Sequence, residues 1–183
     1  EDNSMTGLLS GKNLILVQLE SIDTWMLTEE YMPSLYSIKQ DSVSFGRHFT
    51  PAYIAAGTFN TELMVNTGLL PAGNGISTSV YARNEFPYSL ANLFSSAGYT
   101  ARSFHGSEGD VYNRESIHSN WGYEDYYSGI DMGMENYMLD SQMINAYDEM
   151  TEGSPFFTFI ITFSGHGPYT MDSPSAVHYE DAK

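Results

Sequence analysis

The chain has 183 residues, 42% hydrophobic and 14% aromatic, the composition of a folded domain with a real core and not of a disordered segment. Its 23 acidic and 7 basic residues give a formal net charge of −16, a field that repels nucleic-acid phosphates, so any phosphate chemistry would need a local cation or metal. Cysteine is absent, which excludes thiolate nucleophiles, zinc–thiolate sites and disulfides.

In chain order, "EDNSMTGLLSGKN" carries no signal-peptide pattern, and no apolar run reaches the length of a membrane span. Secretion or membrane anchorage would therefore depend on segments outside this chain. "NLILVQL" (13–19) is nearly continuously apolar and predicts a strand buried on both faces, ending at Glu20. "PSLYSIKQ" (33–40) predicts a short helix opening on proline. "SVSFGRHF" (42–49) alternates as a strand does. A helix is expected from Thr58 to Asn66, before Gly68 and Pro71 break it, and "AGNGIST" (72–78) reads as a loop.

"YSLANLFSSAG" (88–98) has helical apolar spacing and a terminal glycine cap, and "YTARSFH" (99–105) then predicts a strand. "SFHGSEGDVYNRES" (103–116) reads as loop-like. "ENYMLDSQMINAYDEM" (135–150) predicts an amphipathic helix with Met138, Met143, Ile144 and Tyr147 near one face, and "PFFTFIITF" (155–163) a second buried strand. Strands alternating with helices predict one α/β domain, a three-layer α/β/α sandwich around a mostly parallel sheet. Ligands of such sheets lie beyond the carboxyl ends of the strands. Glu20, His105 and His166 each follow a predicted strand, so three polar residues can converge on one site.

Each candidate also has a plain structural explanation. Glu20 at a strand mouth must be paired, solvated or bound to a cation. Thr58, after the small residues of "PAYIAAGTFNTEL" (51–63), is either a helix cap or an uncrowded nucleophile near free backbone N–H groups, with Thr61 and Glu62 as first-turn residues. Arg114 can grip a phosphate at two points, or simply pair with Glu108, Asp110 or Glu115. His166 lies between two glycines, a setting that His48, His118 and His178 lack.

Together, "NLILVQLES", "GTFNTEL", "FHGSEGDVYNRE" and "TFSGHGPYT" resemble the successive motifs of the lipoteichoic acid synthase branch of the alkaline phosphatase/sulfatase superfamily, from about residue 12 to about residue 170. The resemblance implies Thr58 as the nucleophile and Glu20 as a metal ligand. The implied metal is manganese, Mn2+, with magnesium, Mg2+, as the alternative. His105, Tyr112, Arg114 and His166 map onto the contacts to glycerol phosphate. Tyr112 stands where tryptophan is frequent, and Ser107 where some members carry aspartate. The implied donor is the phosphatidylglycerol headgroup and the product a glycerol phosphate polymer, made at the extracellular face of the bacterial cell membrane by a membrane-anchored parent.

The family completes its metal site with an Asp-His pair on a later strand, and no Asp-His dipeptide occurs in this sequence. The expectation is therefore a truncated sulfatase-like domain over 1–183, nearly inactive alone, with an exposed sheet edge that favours association. Other readings are a phosphoethanolamine transferase, a phosphodiesterase, a sulfatase, or a non-catalytic module binding a glycopolymer. A sulfatase usually needs cysteine or serine where Thr58 stands.

Overall fold

A computed structural model describes residues 2–46, 57–71 and 78–168. Four strands, β1 (Leu14–Gln18), β2 (Thr100–His105), β3 (Asp125–Tyr127) and β4 (Phe156–Ile161), form a sheet in the order β1-β4-β2-β3. Every neighbouring pair is parallel. Phe159 of β4 aligns with Leu16 of β1 and Ser103 of β2, so β4 brings the ends of β1 and β2 level.

Among the described residues six α-helices accompany the sheet: α1 (Pro33–Gln40), α2 (Gly57–Thr67), α3 (Thr78–Tyr81), α4 (Leu90–Ser96), α5 (Arg114–Asn120) and α6 (Tyr147–Thr151). Helix α4 starts where the Ser89 hydroxyl accepts the Asn92 amide and ends at Gly98, whose φ of 86° provides the left-handed turn. One face of the sheet presents Ala101, Phe157, Phe159 and Ile161 to Phe59 and Leu63 of α2, Ala91 of α4, and Ile117 and Trp121 at α5. The opposite face packs Phe104 and Ile160 against Met132, Met143, Ala146 and Met150. Helical layers on both faces make the expected three-layer α/β arrangement.

Several local expectations are corrected. Strand β1 is an edge strand, and its far face is open, with Ile15 54% and Val17 45% exposed. Its apolar alternate residues Leu14 and Leu16 face the core, and the other set lacks a covering helix among the described residues. Residues 42–46 form no strand, and 47–49, with His48, lie outside the described residues, as do 72–77 of the expected loop and His178. The single helix expected over 135–150 is a 3-10 helix (Asp140–Ala146) running into α6, so Met143 is buried while Ile144 and Tyr147 are exposed. Side chains three apart eclipse in 3-10 geometry, which changes which ones face the sheet. The stretch 103–116 is not all loop: β2 runs to His105, and α5 begins at Arg114. Strand β3, only three residues long, had no alternating pattern to predict it.

Candidate active site

One cavity of about 370 Å3 opens at the carboxyl ends of β1, β2 and β4, and Glu20, Thr58, His105, Tyr112, Arg114 and His166 all line it. The six candidates thus meet in one place, joined by Ser107, Glu108, Val111, Tyr137 and Phe163. Arg114 is the one Lys or Arg among these lining residues.

Thr58 is the second residue of α2, and its Oγ1 donates to Glu20 Oε2 at 2.8 Å. Gln18 Nε2 donates to the Thr58 carbonyl at 3.0 Å, which ties the start of α2 to the end of β1. The Glu20 amide donates to Thr162 Oγ1 at 2.8 Å, and Ser21 follows with a left-handed φ of 55°. A β-carbon at Gly165 would collide with the Glu20 carbonyl oxygen. Gly165, one of the two glycines beside His166, thus makes space for the backbone that carries Glu20.

His105 is buried, and its Nδ1 lies 2.9 Å from the Ile161 carbonyl oxygen. A carbonyl only accepts, so Nδ1 carries the proton and Nε2 keeps a free electron pair. Burial, reinforced by the Arg114 charge, pushes the imidazole down to about 4, so it is neutral at physiological pH. Phe163 lies between the two cavity histidines, its ring stacked on His166 at 5.0 Å between centroids and tilted against His105 at 5.6 Å.

Tyr112 and Asn113 both hold left-handed backbone conformations, with φ of 60° and 55°. Such strain in non-glycine residues persists only where surrounding structure enforces it. Here the Tyr112 ring sits under the Arg114 guanidinium, 4.9 Å from its centroid, and against Phe59.

Arg114 pairs with none of its sequence neighbours. Its Nε and Nη2 both donate to Glu62 of α2, the shortest bond being 2.7 Å, and both side chains are buried. Burial pushes the Glu62 carboxyl up, but Arg114 and then His118 outweigh it and bring it down to about 2. His118 is also fully buried, with Nε2 3.3 Å from Glu62 Oε2 and Nδ1 2.8 Å from Ser103 Oγ. From sequence alone Glu62 reads as an ordinary first-turn residue and His118 has no distinctive setting. The available signal was spacing: Arg114 and His118 are four apart on one helix, and Glu62 is an acid within the apolar face of α2.

Donor chemistry at the end of β1 suits a hard divalent cation: the Glu20 carboxylate, the Thr58 hydroxyl, and Gln18 Oε1, which is buried with no partner among the described residues. No group of three or more His, Cys, Asp or Glu able to hold a metal occurs among the described residues. Glu20 and Thr58 therefore fit part of a coordination shell that takes about six oxygens.

The sulfatase family profile matches residues 12–183. The chain belongs to the sulfatase family. It is 28% identical to lipoteichoic acid synthase 2 of Bacillus subtilis over 187 residues, covering 93% of this chain and 28% of that protein. It is 31% identical over 155 residues to a Rhizobium meliloti protein named for cyclic beta-1,2-glucan modification, covering 78% of this chain and 23% of that protein. Its fold matches the lipoteichoic acid synthase LtaP of Listeria monocytogenes with a TM-score of 0.75 at 23% identity, over 96% of this chain and 51% of that one. It also matches the Streptococcus pyogenes phosphoglycerol transferase GacH, solved with sn-glycerol-1-phosphate, with a TM-score of 0.58 at 18% identity, over 92% of this chain and 48% of that one. The sulfatase-family chain thus spans about a quarter of these curated relatives and about half of these solved structures. No helix among its described residues is long and apolar enough to cross a membrane.

Proposed function

We propose that the native protein carrying this chain transfers glycerol phosphate from phosphatidylglycerol to a growing polymer, through a covalent ester on Thr58. The observation that carries this reading is the Thr58 hydroxyl held 2.8 Å from Glu20 Oε2 in the cavity lined by Arg114. A divalent cation, manganese or magnesium, held by Glu20 and Thr58 would lower the hydroxyl pKa and make an alkoxide accessible near neutral pH.

Thr58 Oγ1 attacks phosphorus, a new P–O bond forms, and the P–O bond to diacylglycerol breaks. A terminal hydroxyl of the acceptor then displaces Thr58 from phosphorus. Arg114 turns its Nη1 edge to the phosphoryl oxygens. His105 Nε2 accepts a glycerol hydroxyl, and Tyr112 holds the guanidinium plane. His166, backed by Phe163, closes the opposite wall and contacts the same headgroup. With a net charge of −16, the site depends on Arg114 and the cation to draw in an anionic donor. The reaction belongs at the extracellular face of the bacterial cell membrane, with membrane attachment supplied outside this chain.

A second reading keeps the first displacement and changes the acceptor. The relative named for glucan modification favours a sugar hydroxyl. The deciding experiment incubates the native protein with manganese and phosphatidylglycerol, then maps adducts by peptide mass spectrometry. A glycerophosphate mass on the Thr58 peptide is expected. An unmodified Thr58 peptide alongside consumed lipid would refute the covalent route. Offering a glycerol phosphate oligomer and a cyclic glucan as rival acceptors then separates the two readings.

A further inference from the structure

We infer that Glu62 is a positioning residue for phosphoryl binding: it clamps Arg114 so that only the Nη1 edge of the guanidinium faces the cavity. The inference rests on the reading of Arg114 as the phosphoryl-binding cation and assigns the residue that makes it one.

Glu62 is 0% exposed, and its two oxygens receive Nε at 3.1 and 3.0 Å and Nη2 at 2.7 Å. That uses one full edge of the guanidinium. The remaining donor, Nη1, reaches only Ser107 Oγ at 3.4 Å, a long bond that a phosphoryl oxygen can readily replace. His118 Nε2 bonds the second Glu62 oxygen, and Ser103 orients His118 from β2. The carboxylate is thus held from two directions and cannot turn away from Arg114.

The alternative destinations of Arg114 show why a clamp matters here. Glu20 and Glu108 line the same cavity, and Asp110 and Glu115 lie within a few residues of Arg114. A guanidinium free to swing would settle on one of these acids and leave the phosphoryl oxygens without a donor. Glu62 also sits four residues after Thr58 on α2. Four residues of helix rise about 6 Å, so one rigid element spaces the nucleophile from the carboxylate that aims the arginine.

The test is a double-mutant cycle on binding of sn-glycerol-1-phosphate to the native protein, measured by titration calorimetry with circular dichroism as the check on folding. Glu62→Gln is expected to weaken binding about tenfold or more. In the Glu62→Gln/Arg114→Gln double variant, which removes both buried charges, binding is expected to match Arg114→Gln alone. A purely structural Glu62 would instead give effects that add, and additive effects overturn the inference, as does wild-type affinity in a folded Glu62→Gln variant. If Glu62→Gln does not fold, Glu62→Asp decides, since it keeps both charges and withdraws the carboxylate by one methylene. Several-fold weaker binding with an unchanged spectrum supports the clamp, and wild-type affinity rejects it. Wild-type affinity in Arg114→Gln would instead remove the underlying reading of Arg114, and this inference with it.

Discussion

Thr58 is half-buried, and among the described residues its hydroxyl bonds to Glu20 alone. Removing it should therefore cost the fold about 1 kcal/mol and the chemistry nearly everything. Thr58→Ala in the native protein is expected to lose at least about a thousandfold in transfer rate while its melting temperature moves by only a few degrees. Turnover near the wild-type rate would exclude Thr58 as nucleophile. At this scale the sequence was informative where a residue's role follows from its neighbours in the chain. The place of Glu20 and of His166 at the cavity could be read because an apolar strand pattern ends shortly before each. Glu62 and His118 were harder to read, because spacing within each helix only hints at them and the contact between α2 and α5 that joins them is not local.

The elements meet with little clearance at the cavity. The loop after β4 passes so near the end of β1 that residue 165 must lack a side chain. Asp140 fixes the same loop from the other side, accepting from the Phe163 and Ser164 amides. Gly165→Ala should push the Glu20 backbone away and lengthen the Thr58–Glu20 bond. The expected result is a loss of transfer activity of about tenfold or more with the rest of the sheet intact. Hydrogen exchange of the β1 and β4 amides would check it, since rapid exchange along both strands would mean that the substitution had undone the sheet itself. Element type was legible for β1, α1, α2, α4, β2 and β4, from apolar runs and from the punctuation of Pro33, Gly68 and Gly98. It was not legible for β3 or the 3-10 segment, whose residues take their conformation from packing on Phe104 and its neighbours.

Over the whole molecule, the buried histidines and Glu62 make stability fall on acidification. The His105 pKa is lowered from 6.5 to about 4, and that of His118 is also lowered by burial, so the unfolded chain binds more protons than the folded one as pH falls below about 6.5. The Glu62 carboxyl is lowered from 4.5 to about 2, and its contribution is full above about 4.5 and lost as pH falls towards about 2. Each pKa unit corresponds to about 1.4 kcal/mol, so His105 and Glu62 are each worth on the order of 3 kcal/mol across their windows. Urea midpoints should be level between about pH 7 and 9, fall between pH 6.5 and 4, and fall further below. A midpoint that rises on acidification from pH 6.5 to 4 would mean these groups are not buried as described.

The strand order carries a further consequence, for the timing of synthesis. Strand β4 lies between β1 and β2, yet it is the last of the four to be made. Thr162, which receives the Glu20 amide, lies 142 residues downstream of it. At the usual 5–20 residues per second, Glu20 waits on the order of ten seconds on the ribosome before its partner exists. During that interval β1 lacks the hydrogen bonds of β4, its one neighbour among the described residues, and Ile15, Val17 and Leu19 are open to any passing strand. The candidate site is thus assembled in one late step, when residues 156–166 arrive.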